Sequence, residues 1–184
     1  MTTGIARLSA GVIIGIGERV KIERKWAMPN HKTFSIKPIR EFIGDVPTNS
    51  VDPFARNSKL ATLTNDLNPK FEATHNTDAL DFLSMIIDEY ADMVLFDPPY
   101  SLRQLKECYD SVGASLSQHQ SQHFFSDVKN EIARITKPGG YVLSFGWSSQ
   151  GMGKSRGFEI ESILLVPHGG IHYDTICVRE IKRG

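Results

Sequence analysis

Four consecutive residues carry the strongest chemical signal in the sequence: Asp97-Pro98-Pro99-Tyr100, directly after the apolar run Met93 to Phe96. Two prolines in a row fix the backbone and remove two N–H donors. The Asp97 carboxylate and the nearby carbonyls are left as acceptors without competing donors, and Tyr100 adds a flat aromatic face. An exocyclic amino group needs such surroundings, because its lone pair is delocalised into the ring and is poorly nucleophilic. Acceptors at Asp97 and the Pro98 carbonyl can hold both N–H bonds and favour a pyramidal nitrogen whose lone pair points at an electrophile. Tyr100 can stack on a base removed from a duplex. Catalysis of this kind is mostly positioning and electrostatics. The bland alternative is a proline-terminated strand followed by a packing tyrosine, and the context decides between the two.

That context is an alternation of strands and helices. Pro38 opens a helical pattern to Gly44, with Ile39, Phe42 and Ile43 on one face. Ser50 to Phe54 reads as a short strand ending in a loop, and Leu60 to Thr64 as a second, ending at Asn65-Asp66. Leu80, Leu83, Ile86, Ile87 and Tyr90 keep helical spacing. Met93 to Phe96 is a buried strand, and a helix follows over Leu102 to Val112. Phe124, Val128, Ile132 and Ile135 form the stripe of another helix, ended by Lys137-Pro138-Gly139-Gly140. Tyr141 to Phe145, Phe158 to Val166 and Ile171 to Val178 read as three further strands. The pattern predicts an α/β sheet with helices on its faces, where ligands sit at the carboxyl ends of the strands. Only Pro167-His168-Gly169-Gly170 separates the last two strands, which predicts an antiparallel hairpin.

Composition limits the other possibilities. The 184 residues suit one domain, and acids and bases balance at 21 each, so no global positive field draws nucleic acid to the chain. Cys108 and Cys177 are far apart and make neither a disulfide framework nor a metal spacing, which points to a reduced, cytoplasmic setting. Gly11 to Gly17 is too short to span a membrane. It reads as a strand that can pair with Arg19 to Arg24, inside an arm (residues 1–29) that is either an ordered hairpin or partly disordered; residues 30–184 form the main domain. The six histidines give no metal site. His119 and His123 lie four apart in a polar, solvated stretch, and Gly151-Met152-Gly153-Lys154-Ser155 lacks the spacing of a phosphate loop.

Asp-Pro-Pro-Tyr after an apolar strand resembles motif IV of the DNA amino-methyltransferases, especially the adenine N6 enzymes; Asp97, Pro98, Pro99 and Tyr100 would then be the catalytic residues. Other segments are similar to that family in the same order, from Phe34 to Ile181. Val51-Asp52-Pro53-Phe54-Ala55, with Asn57, resembles the strand and loop of motif I, which contacts the methionine part of S-adenosylmethionine. Thr64-Asn65-Asp66-Leu67 places an acid, Asp66, where it would bind the ribose hydroxyls. Asp78-Ala79-Leu80 resembles the loop that reads the cofactor's adenine, and Lys137-Pro138-Gly139-Gly140 is a segment common in such enzymes. Ser35-Ile36-Lys37-Pro38 resembles motif X, with Lys37 beside the methionine end. The resemblance implies a Rossmann-like class I methyltransferase fold, S-adenosylmethionine as cofactor, and adenine-containing DNA as substrate.

The sequence departs from that family in three places. The motif I loop has no glycine, and Arg56 stands where one is expected. Asn57, which tolerates left-handed backbone, can partly compensate, while Arg56 can fold onto an acid such as Asp52 or face DNA phosphate. Too few residues separate the first two strands to hold a crossover helix, so the sheet should be trimmed or distorted on that edge. The recognition domain that such enzymes usually carry after the core is expected to be missing. Arg103 and Lys106, the loop Ser148 to Gly157, read as flexible and bordered by Trp147, and the arm with Arg19, Lys21, Arg24, Lys25 and Trp26 are the candidate DNA-facing pieces. A homodimer or a partner protein would supply the second gripping surface. The lost glycines leave two other readings open: a cofactor-binding partner subunit, or an enzyme using S-adenosylmethionine on something other than DNA. Cytosine N4 or RNA methylation are closer variants, and the Asp at position 97 argues against a protein glutamine as acceptor.

Overall fold

The computed structural model describes residues 20–170 and 172–184. The strand expected at Gly11 to Gly17, Arg19 of its proposed partner, and Ile171 at the start of the last expected strand lie outside the described residues. A seven-stranded sheet runs in the order β1-β6-β7-β5-β4-β2-β3. Its strands are β1 (Lys21–Arg24), β2 (Ser50–Asp52), β3 (Leu63–Thr64), β4 (Ala91–Phe96), β5 (Thr136–Gly146), β6 (Phe158–Val166) and β7 (Thr175–Lys182). The helices are α1 (Lys37–Ile43), α2 (Ala79–Ser84), α3 (Leu102–Asp110) and α4 (Gln118–Ile135). All pairings are parallel except those of β7, which runs antiparallel to both β5 and β6.

Burial on both faces follows from the period-2 geometry of the central strand. In β4, Val94 and Phe96 join a core with Val51, Phe82, Val128, Ile132 and Val142. Met93 and Leu95 face the other way, into a core with Ile39, Ile43, Leu143, Phe145 and Leu164. The stripe of α4 is buried as its spacing predicts, at Phe124, Val128, Ile132 and Ile135, and a capping box between Ser117 and Gln120 starts that helix.

The trimmed edge is real. β2 has three residues and β3 two, and they pair in parallel with no helix between them. The expected strand to Phe54 stops at Asp52 because the Phe54 N–H turns back to Asp52 Oδ1 at 3.1 Å. Asn65 holds the shortened crossover in place of a helix. Its side chain donates to the carbonyls of Pro53 (3.3 Å) and Thr77 (3.1 Å) and accepts from Thr77 N–H (3.1 Å), while its own carbonyl takes the Ala55 N–H (2.8 Å).

Other boundaries differ from the sequence reading for local reasons. The helix expected to reach Tyr90 ends at Ser84, where the Arg134 guanidinium donates to the carbonyls of Leu83 and Ile86 and satisfies the open helix end. Ile87 is left exposed. β5 begins at Thr136, and its register against β4 shifts between Ala91 and Met93, with residues 137–140 taking up the slack. A Cβ on Gly140 would lie 3.0 Å from the Ala91 carbonyl, so only glycine fits that approach. The hairpin loop is longer than Pro167 to Gly170: β7 starts at Thr175, and His172 and Tyr173 belong to the loop.

Residues 20–29 of the expected arm are part of the sheet edge. β1 pairs with β6 in parallel, and the pairing continues through Lys25 N–H to Leu165 and Ala27 N–H to Pro167. The chain then passes over the carboxyl ends of the strands before α1.

Candidate active site

The carboxyl ends of β2, β3, β4 and β5 lie along one edge, and β7 begins there because it runs the other way. The sheet order reverses between β2 and β4, the position at which open α/β sheets form a crevice. Asp52, Asp66 and Asp97 stand at or just beyond the ends of β2, β3 and β4, and Trp147 follows β5.

Asp97 and Tyr100 are directly linked. The Tyr100 hydroxyl donates to Asp97 Oδ1 at 2.6 Å, and the Tyr100 N–H donates to Gln104 Oε1 at 2.6 Å. Burial pushes the Asp97 carboxyl above its usual range; the hydrogen bonds from Tyr100 and Thr33 and the Arg56 charge pull the other way. Burial, then the negative Asp97, pushes the Tyr100 phenol far up, so it stays a donor. Beside Tyr100 opens a cavity of about 400 Å³, with Thr33, Ile36, Gln104, Trp147, His168 and Tyr173 among its walls. His168 is pinned between the Ala27 carbonyl and Thr175 Oγ1, both at 2.8 Å.

Asp52 is fully buried; Oδ1 accepts from Phe54, and Oδ2 has no partner among the described residues. Burial raises its pKa well above the usual value, and the charges of Asp97 and Asp66 add to the rise. Asp66 accepts the Asn68 N–H on Oδ1 (2.8 Å) and the Arg56 N–H on Oδ2 (3.1 Å), and burial raises it too. Arg56 itself adopts the left-handed backbone at φ 51°, so the compensation expected of Asn57 falls to the arginine. Its guanidinium lies 5.0 Å from the Phe71 ring centroid and reaches the His31 carbonyl at 3.5 Å, so it folds back neither onto Asp52 nor away to solvent alone.

The remaining residues of the expected cofactor site divide. Pro53 and Ala55 are buried in the β2 loop, and Phe54 packs tilted against Phe96 and edge-on against Phe124. Asn57 is exposed and accepts the Glu72 N–H at 3.0 Å, which ties the loop to the next segment. Leu67 packs on the core beside β2, and Ala79 is buried in the first turn of α2. Asp78 caps that helix through Leu80 N–H at 2.8 Å, and its other oxygen takes the Tyr109 hydroxyl. Lys37 opens α1 and is exposed; Thr33 and Ile36, just before it, are the residues that reach the cavity.

Trp147 lines the cavity, and sequence reasoning missed Thr33, Gln104, His168 and Tyr173 beside it. Gln104 had a readable signal, one helical turn after Tyr100; the others come together only through the tertiary fold. The loop Ser148 to Gly157 is held rather than free. Glu180 Oε2 and Oε1 accept the N–H groups of Met152 (2.6 Å) and Gly153 (3.2 Å), and Lys129 donates to the Gly151 carbonyl at 2.6 Å. Arg156 is spent on α4, at Asn130 Oδ1 (2.8 Å) and Ser126 Oγ (3.1 Å). Among the described residues no three His, Cys, Asp or Glu side chains gather where they could hold a metal, and no helix is long and apolar enough to cross a membrane.

No family model and no curated protein matches the sequence. Solved structures do match the fold. TrmN from Thermus thermophilus aligns over 78% of this chain and 46% of its own, at 16% identity and a TM-score of 0.52. PH0851 aligns over 78% of this chain and 45% of its own, at 14% identity and a TM-score of 0.51. The chain thus spans less than half the length of either. It shares with them a Rossmann-like α/β fold, a mostly parallel seven-stranded sheet with one antiparallel strand.

Proposed function

We propose that this protein transfers a methyl group from S-adenosylmethionine to the exocyclic amino group of a nucleic-acid base, adenine N6 in DNA. The observation that carries the reading is the Asp97–Tyr100 pair at the end of the central strand, beside a cavity and next to the buried, half-partnered carboxyl of Asp52.

The residues present fit the cofactor. Asp52 Oδ2 is a buried acceptor lacking a donor, and an amino-acid ammonium would satisfy it. Asp66 uses one lone-pair site on each oxygen for backbone N–H groups, which leaves capacity for ribose hydroxyls. Phe54, Leu67 and Ala79 offer apolar surface near those acids, and Asp78 orders the start of α2 beside them. When bound, S-adenosylmethionine supplies an electrophilic methyl group on a sulfonium.

The chain's own residues act on the acceptor. Tyr100 holds Asp97 Oδ1, which orients the carboxylate and leaves Oδ2 for an amino N–H of the base. The Pro98 carbonyl is the second acceptor. With both N–H bonds held, the nitrogen lone pair is aimed at the electrophile. Transfer would exchange the methyl group's bond to sulfur for one to nitrogen, leaving a neutral thioether and an extra proton on the nitrogen, and Asp97 is the adjacent group able to take that proton.

Incubation with labelled cofactor and DNA, followed by digestion to nucleosides, tests the reading. N6-methyl-2′-deoxyadenosine is the expected product; N4-methyl-2′-deoxycytidine or label in RNA alone would move the assignment to those variants, and cofactor binding without transfer to any nucleic acid would favour a partner subunit. Flipping a base from a duplex needs a grip on both sides of the target. On a duplex, a second copy of the chain or another protein would complete that grip, which light scattering with and without DNA would reveal.

A further inference from the structure

The aromatic residues at the mouth of the cavity suit a different form of substrate. Trp147 is 42% exposed and Tyr173 is 72% exposed. Their ring centroids are 4.7 Å apart, inclined at 43°, and the Trp147 ring meets Tyr100 edge-on at 5.3 Å. The three rings therefore run from the buried Asp97 outwards to solvent. A contiguous cluster of exposed rings, unlike a single exposed residue, marks a surface suited to a ligand.

The charge around them is equally telling. Among the described residues none that lines the cavity is Lys, Arg, Asp or Glu, and the chain as a whole is balanced at 21 acids and 21 bases. Arg156, the cation nearest in sequence to Trp147 after Lys154, is committed to α4. Duplex DNA is gripped through its phosphates by Lys and Arg, and extruding a base adds an unstacking cost of a few kcal/mol. A single strand is held by charge along its backbone together with stacking of its bases on aromatic side chains, and its bases need no extrusion from a duplex.

We propose that Tyr100, Trp147 and Tyr173 form a stacking platform for an unpaired stretch of single-stranded DNA, which delivers the target base to Asp97 already out of a duplex. The inference rests on the base-methylation reading above. It removes the need for a second gripping surface, because no base has to be flipped. Trp147 and Tyr173 are positioning residues on this view, taking the neighbouring bases while Tyr100 takes the target.

The chain has two tryptophans, Trp26 and Trp147, so the Trp26→Phe protein carries Trp147 as its one indole. Titration of that protein with an adenine-containing deoxyoligonucleotide, alone or annealed to its complement, should quench the indole with the single strand and much less with the duplex. In otherwise wild-type protein, Trp147→Leu and Tyr173→Leu should each weaken binding of the single strand by on the order of ten-fold. Trp147→Phe should retain most of it, a rescue that a purely structural role would not give. Both positions are exposed, and circular dichroism checks that the leucine variants fold. Tighter binding of the duplex, or leucine variants that bind the single strand like wild type, would overturn the platform. A nucleoside assay on the same strands separates this from the wider reading. Methylation of the duplex alone sinks the platform and leaves the function intact, whereas quenching and leucine effects with no methylated base sink the function and leave the binding surface. A ribo-oligonucleotide preferred over the deoxy strand supports the platform and overturns the DNA assignment.

Discussion

The Tyr100 hydroxyl and Asp97 Oδ1 are 2.6 Å apart, so the side chain available to stack on a base also fixes the carboxylate that would hold the base's amino group. Removing either should disable transfer through the other. Asp97→Ala and Tyr100→Ala are expected to lower kcat by about 10²–10³-fold or more, the scale of losing an electrostatic positioning group. Cofactor affinity should remain nearly unchanged in both, and calorimetry showing its loss would place these residues on the cofactor instead. Asp97 must be ionised to accept both proton and hydrogen bond, and burial raises its pKa. Activity should therefore fall on the acid side at a pH above the ordinary carboxylate range, a limb that a pH–rate profile of kcat would locate.

Asp66 and Asp78 should separate when mutated. Asp66→Ala removes acceptors for two loop N–H groups and for ribose, and a lost charge-assisted hydrogen bond costs roughly 1.5–3 kcal/mol, or ten-fold and more in affinity. Asp78→Ala removes the cap of α2, about 1 kcal/mol of stability, while Asp78→Asn keeps a capping oxygen and should restore most of it. Urea midpoints beside cofactor titrations distinguish the two acids; equal cofactor affinity in Asp66→Ala and wild type would put the ribose elsewhere.

Much of this arrangement was legible before any coordinates. Asp97 to Tyr100 followed an apolar strand with the spacing of a strand end, and the stripe of α4 and the short connection after Asp52 were readable from periodicity and chain length. The details that escaped have a common cause. Arg134 stops α2 from a distance of some fifty residues in sequence, Asn65 substitutes for a missing helix by hydrogen bonds to the β2 loop and to Thr77, and Tyr173 reaches the cavity because β7 starts later than its apolar run suggests. None of these leaves a local pattern. Arg56 at positive φ is a different case: its type argues against that backbone, and the Asp66 carboxylate that takes its N–H helps hold it there.

Asp52 has a testable thermodynamic signature. Its pKa is raised in the folded chain, so between the ordinary carboxylate value and the raised one the folded state binds more protons than the unfolded state. Its contribution to stability is therefore present at low pH and is lost as pH rises through that interval. Asp52→Asn should flatten this slope and make the cofactor-free protein more stable near neutral pH, while weakening cofactor binding. Urea midpoints measured from pH 4 to 8 (a range of about four units around the window the linkage relation concerns) would show two parallel curves if the carboxyl were not titrating there.

Gly151 has φ of 57°, and a Cβ at that position would run into the Glu180 carboxylate. Gly151→Ala should cost about 2–4 kcal/mol, summing left-handed strain and overpacking. Thermal melts and denaturant titration would register it, and an unchanged midpoint would mean that the loop lifts off Glu180 at little cost.

The two ends of the sheet bear on how copies of this protein can meet. Among the described residues one border is β3, two residues long, and the other is β1, four residues long, with Lys21 and Glu23 paired to each other at 2.5 Å and Lys25 beside them. A stub and a short charged ribbon are poor templates for backbone pairing between molecules. Among the described residues, continuing the sheet from one copy into the next is thereby discouraged, which leaves the helical faces and loops as the surfaces for assembly.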